Sequence, residues 1–177
     1  MNILVCIKQV PDTTEIKIDP VKHTLIRGGV PSIVNPFDAC ALEMAVRLKE
    51  KEGGKVMVVS MGPAQAKNAL KECLSVGADQ AFLVTDRAFG GSDTLATSYI
   101  LSRAVRAVEQ KTGESVDVIF CGKQAIDGDT AQVGPEMAEH MDLPHVTLAT
   151  GVEMADGKIR VQRDTDEGHD IIEVDLP

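Results

Sequence analysis

The sequence predicts an α/β domain built on a doubly wound parallel sheet. Four short apolar runs, Ile3–Ile7, Val56–Met61, Ala81–Thr85 and Val116–Cys121, are rich in Val, Ile and Leu and show little polar alternation. Strands covered on both faces read this way. Longer segments of helical spacing separate them, and the order β-α-β-α-β-α-β-α implies a parallel sheet with right-handed crossovers. Aromatic residues make up only 3% of a chain that is 44% hydrophobic, so Ala, Val, Leu, Ile and Met must fill the core. Small and branched side chains suit helices laid closely on a sheet.

Each element has a local reason. The first helix opens at Asn35-Pro36, a good cap followed by a proline suited to the first turn. Its Phe37, Ala41, Met44 and Leu48 recur at helical spacing. The second opens after Gly62-Pro63, carries Leu70, Cys73 and Leu74, and stops at Gly77. The third opens at Ser92-Asp93 and runs through Leu95, Tyr99 and Val105 towards Gly113. A fourth covers Ala131 to Met141. Two insertions break the rhythm. Ile16–Ile18 and Thr24–Ile26, within Thr14–Arg27, predict a small N-terminal hairpin over one edge. After Leu143-Pro144 a β-rich extension follows: His145–Glu153, a turn at Asp156-Gly157, Lys158–Gln162 and Asp170–Leu176. The acidic cluster Asp164, Asp166, Glu167 and Asp170 reads as a solvated hairpin.

The 177 residues fit one domain, 1–177. A formal charge of −9 argues against a nucleic-acid partner, which needs a basic face, and against an anionic membrane surface. No apolar run approaches the ~20 residues of a membrane span, and the N-terminus enters a strand without a signal-peptide pattern. Cys6, Cys40, Cys73 and Cys121 lie far apart in apolar surroundings with no C-x-x-C pair. They read as four buried, reduced thiols, and the expected location is cytoplasmic. The four histidines lack metal-ligand spacing, so no metal site is expected.

Open α/β sheets bind ligands outside the carboxyl ends of their strands, where the strand order reverses. If it reverses around the first strand, the crevice lies between the first and fourth. Cys6–Gln9 then sits beside the polar loop Gly122–Val133, which links a strand to a helix and offers backbone N–H groups to a phosphate. Asn35-Pro36-Phe37-Asp38, Met61-Gly62-Pro63 and Gly91-Ser92-Asp93-Thr94 reach the same edge. Plainer readings exist for each. Asn35, Ser92 and Asp93 are ordinary caps, Met61 fits a core, Lys8 a solvated strand end, and Asp127 and Asp129 a turn. No catalytic dyad, Walker lysine loop, G-x-S-x-G or early G-x-G-x-x-G is present. Any chemistry belongs to a bound cofactor.

Several segments resemble the electron transfer flavoprotein β subunit: Val5–Asp12 (VCIKQVPD), Val34–Asp38 (VNPFD), Met61–Gln65 (MGPAQ), Gly77–Asp79 (GAD), Gly122–Thr130 (GKQAIDGDT) and Val161–Pro177. Asp170 departs from the pattern, where the family usually has Glu or Gln. The resemblance implies a HUP-like (adenine-nucleotide α-hydrolase) domain that pairs with an α subunit and serves an acyl-CoA or other dehydrogenase, with ferredoxin as a further acceptor. It implies that Cys6, Asn35, Pro36, Phe37, Asp38, Met61 and the loop Gly122, Lys123, Gln124, Ala125, Ile126, Asp127, Gly128, Asp129, Thr130, Ala131, Gln132 and Val133 contact the adenylate half of a nucleotide. Asp93, Thr94 and Thr97 would serve the rest of an FAD. Simpler members hold AMP in this pocket. Electron-bifurcating members hold an FAD there that takes hydride from NADH, and Gly128 and Gly90–Ser98 resemble that type. Such a subunit oxidises NADH only within its complex. Family members continue past Leu176-Pro177 into a partner-embracing segment, so the chain is expected to be a fragment.

Overall fold

A computed structural model describes residues 1–12 and 31–176. The hairpin expected within Thr14–Arg27 lies outside them. The four predicted strands form one parallel sheet: β1 (Asn2–Cys6), β4 (Lys55–Met61), β5 (Gln80–Val84) and β6 (Val118–Cys121), in the order β5-β4-β1-β6. The order reverses at β1, so β1 and β6 are neighbours and the predicted crevice exists.

Helices cover both faces, and the strand period of two decides which residue meets which layer. Ile3, Val5, Val56 and Val58 pack with Ala41, Leu42, Ala45, Leu70 and Cys73 of α1 (Pro36–Glu52) and α2 (Lys67–Ser75). Leu4, Cys6, Met57 and Val59 pack with Leu101, Ala104, Val105 and Val108 of α3 (Thr94–Thr112) and Met137 of α4 (Val133–Met141). Ile3, Val56, Met57, Val58 and Val59 are fully buried. At about 1.5–3 kcal/mol per buried aliphatic side chain, this double burial is the main force holding the sheet.

A short antiparallel ladder, β2 (Gln9–Pro11) with β3 (Ser32–Val34), brings the chain from β1 to α1. With three residues on each strand, it was too short for apolar periodicity to reveal. At the C-terminus, β7 (Ala149–Ala155), β8 (Lys158–Thr165) and β9 (Gly168–Asp175) form an antiparallel sheet, and Ile159 and Val161 join the α1 core. Asp156 (φ 53) and Gly157 (φ 78) make the β7–β8 turn, the paired left-handed conformation that Asp-Gly favours in a hairpin. Asp166 and Glu167 form the exposed β8–β9 turn, as the acidic cluster suggested.

Three expectations need correction. The fourth helix begins at Val133, not Ala131, because Ala131 is left-handed (φ 54) and cannot join a right-handed helix. The strand expected from His145 begins at Ala149, because Leu148 has φ 58. The cysteines are not all buried: Cys6 and Cys73 are, Cys121 is half-buried and Cys40 is exposed on the outer side of α1. All four are free thiols. Among the described residues, no helix is long and apolar enough to cross a membrane.

Candidate functional site

β1 and β6 end side by side, with Cys6 in register with Cys121. Just beyond the strand ends, Lys8 and Gly122 meet the first turn of α1. Asp38 ties this junction. Its carboxylate accepts the Lys8 backbone N–H at 2.7 Å and is 7% exposed within its residue's surface. Burial pushes the carboxyl up to about 6, against hydrogen bonds from the Lys8 backbone, Asn35 and the Gly122 backbone and the attraction of the Lys8 charge. Gly122 passes so close that a Cβ there would land on the Asp38 carboxylate and 2.7 Å from the Asp38 nitrogen. This residue is glycine because the backbones touch.

Asn35 sits at the helix N-cap position, but its side chain makes no capping bond. It is 1% exposed. Its Nδ2 donates to the Gln124 carbonyl at 2.8 Å, and its Oδ1 accepts the Ile126 N–H at 3.2 Å. The amide offers one donor and one acceptor to a loop segment that needs both. The capping role read from the sequence is therefore replaced by a clamp on the loop. Pro36 supplies the first helical residue, and Phe37 is half-buried beside it.

The loop's polar side chains are also tied. Lys8 Nζ pairs with Asp127 Oδ1 at 2.6 Å, with the Asp127 side chain only 5% exposed. Lys8 was read as a solvated strand end; the opposite charge in the facing loop was the signal for this pairing. Gln124 Nε2 donates to Asp129 Oδ1 at 2.8 Å, and the Ala125 carbonyl accepts from the N–H groups of Gly128 and Asp129. Both loop carboxylates thus have partners. Lys123, Gly128, Thr130, Ala131 and Gln132 are exposed. Asp129 (φ 50) and Ala131 (φ 54) are left-handed without being glycine, a cost of order 1 kcal/mol each that often accompanies a ligand-binding turn. Val133 starts α4, whose first N–H groups have no intrahelical acceptor.

The α3 residues meet the end of this loop, where Thr94 Oγ1 donates to Gln132 Oε1 at 3.5 Å. Asp93 caps α3, accepting the Ala96 N–H at 2.8 Å. Thr94 donates to Glu136 of α4 at 3.1 Å, which joins the two helix starts. Glu136 was not singled out from the sequence; its only mark was an acid three residues into α4. Thr97 is half-buried, and Met61 is half-buried at the end of β4 against the α3 core. Cys6 donates to the Met137 sulfur at 3.8 Å. Hydrogen bonding with Cys121, then burial, pushes its thiol well up, so it does not ionise to serve a ligand. Beside the loop, a cavity of about 970 Å³ opens between α1, α4, the outer edge of β6 and the C-terminal sheet, lined by Phe37, Met44, Phe120, Met141 and Leu176 among others.

The arrangement fits a nucleotide phosphate. A helix N-terminus, two left-handed residues and exposed loop backbone converge at the switch point, and Lys8 neutralises the Asp127 carboxylate there. Gly128 keeps open space, since a Cβ there would meet nothing within 4 Å.

Residues 22–177 match the Electron transfer flavoprotein domain. The whole chain is 58% identical to the electron transfer flavoprotein subunit beta of Thermoanaerobacterium thermosaccharolyticum, covering 66% of that protein. It is 52% identical to the caffeyl-CoA reductase-Etf complex subunit CarD of Acetobacterium woodii, covering 66% of it, and 52% identical to protein FixA of Azotobacter vinelandii, covering 63%. The chain thus spans just under two thirds of the length of these relatives. On the family match and these identities, with the parallel sheet and its switch-point loop as predicted, the chain belongs to the electron transfer flavoprotein family and is of the β-subunit kind.

Proposed function

We propose that this chain is the nucleotide-binding part of the β subunit of a heterodimeric electron transfer flavoprotein, and that its switch-point loop holds the adenylate half of an FAD. The observation that carries this reading is the Gly122–Val133 loop, held by Asn35 and Lys8 so that its exposed backbone and the α4 N-terminus face one ligand. An FAD held here would supply the redox chemistry, accepting hydride from NADH and relaying electrons towards an α-subunit FAD. The chain's own residues bind and orient. Asn35 and Asp38 set the loop, Lys8 neutralises Asp127, and residues 128–133 meet the phosphate. The α subunit completes the pocket. A dehydrogenase acting on an acyl-CoA is the expected redox partner, a reading supported by the name of the CarD relative, with ferredoxin as a further acceptor.

A second reading has its own support. Asp93 and Thr94 are already bonded to Ala96 and Glu136, whereas the bonds from Asn35 and Lys8 that hold the loop do not involve them. This favours AMP as a structural ligand, with all flavin chemistry in the α subunit.

Denaturing the full-length heterodimer and quantifying the released nucleotides tests both. Two FAD per heterodimer supports the first reading, and one FAD with one AMP supports the second. Anaerobic rapid mixing with NADH then follows flavin bleaching. Flavins left oxidised by NADH rule out the hydride-accepting role. Gly128→Val is expected to lower occupancy without unfolding the protein, because a branched side chain fills the space the ligand needs. Unchanged occupancy in the folded variant would remove Gly128 from the site.

A further inference from the structure

We propose that Cys6 and Cys121 form an oxidisable dithiol, a modification site in which peroxide closes a disulfide between β1 and β6. The argument does not depend on which nucleotide binds above.

The two residues are in register on adjacent parallel strands. Neighbouring strands run about 4.7–4.9 Å apart, inside the roughly 4.4–6.8 Å window of Cα separations that disulfides span. Both side chains point to the α3–α4 face, where they join one apolar cluster. The Cys6 thiol donates to the Met137 sulfur at 3.8 Å on that same face. Closing the bond requires the two Cβ atoms to come within about 3.5–4.5 Å of each other at the strand ends.

Access differs between them in a useful way. Cys121 is half-buried and lines the cavity beside the loop, whereas Cys6 is 8% exposed beneath Met137. Cys121 is therefore the sulfur a small oxidant reaches. Its thiolate attacks one peroxide oxygen, breaking the O–O bond and giving a sulfenic acid and one water after proton uptake. Cys6 then attacks the Cys121 sulfur, loses its proton and expels a second water. The two thiols are oxidised by two electrons and the peroxide is reduced to two waters. Cys6 acts as the resolving thiol, and because its thiol is held largely protonated this is the slow step.

Exposed Cys40 is the internal competitor, since it lines the same cavity. The test treats reduced full-length protein, in complex with its α subunit, with hydrogen peroxide. Alkylation and peptide mapping follow. The expected result is loss of Cys6 and Cys121 from the alkylatable set, a Cys6–Cys121 cross-linked peptide approaching one per chain, and recovery with dithiothreitol. Cys40→Ser should keep the cross-link. Cys6→Ser should leave Cys121 as a sulfenic acid that dimedone traps. Should either cysteine variant fail to fold, the wild-type map decides alone. A map in which Cys6 and Cys121 stay alkylatable while Cys40 oxidises, or in which Cys121 pairs with Cys40, overturns the proposal.

Discussion

Replacing Asn35 with Ala removes both ends of the loop clamp. The Gln124 carbonyl loses a donor at 2.8 Å, and the Ile126 N–H loses an acceptor at 3.2 Å. Each orphaned group costs about 1–3 kcal/mol if it stays buried. Both residues are half-buried, so water recovers part of this. Taking the lower end for each, we expect Asn35→Ala to destabilise the protein by about 2 kcal/mol. That is a sizeable share of the roughly 5–15 kcal/mol of a typical domain. The midpoint of a urea titration should fall with the slope unchanged. Amide exchange gives the local test. About 2 kcal/mol corresponds to roughly thirtyfold in an opening equilibrium, so Ile126 should exchange faster by about that factor. Asn35→Asp is almost isosteric and keeps the acceptor for Ile126, but it turns an oxygen towards the Gln124 carbonyl and buries a charge. It should cost at least as much as Ala at neutral pH. An Asn35→Ala protein within about 0.5 kcal/mol of wild type, with Ile126 exchange unchanged, would refute the clamp.

The two loop glycines should behave oppositely. Gly122→Ala drives a methyl into Asp38 and Phe37 and should cost upwards of about 2 kcal/mol in a denaturation assay, whereas Gly128→Ala, with nothing within 4 Å, should leave stability within about 0.5 kcal/mol. Asp38 gives a pH signature. Its carboxyl is raised from 3.8 to about 6, so between those values the native state holds more of this proton than the unfolded state does. Its contribution is fully present below pH ~4 and is lost as pH rises through about 6, a change of order 3 kcal/mol. The difference between wild type and Asp38→Asn, measured by urea titration from pH 4 to 7, should show that slope; parallel curves would mean the carboxyl is not buried as described. Lys8→Met leaves the Asp127 carboxylate, only 5% exposed, without its cationic partner and should lower stability by about 1–3 kcal/mol, read from the same titration.

What the sequence determined by itself was the local and periodic part. Uniformly apolar runs marked strands covered on both faces, Asp156-Gly157 marked its hairpin, and Gly113 ended α3 in the left-handed conformation that helix caps favour. The placement of β6 beside β1 followed from the switch-point rule applied to that pattern, and the polar loop after β6 marked the candidate site. Side-chain partnership was left to the tertiary structure. Asn35 reads as a cap in any window of neighbouring residues, yet it bonds to residues 89 and 91 positions away. Lys8 and Asp127 are 119 apart, and Gly122 owes its identity to Asp38 on another element. The starts of α4 and β7 moved for a similar reason: Ala131 and Leu148 are held left-handed, a conformation their side chains disfavour and local propensity does not announce. The short-range terms act between residues close in the chain and are written there. The bonds that shape the site act between strand ends and helix starts that only the packed sheet brings within 3 Å or so of each other.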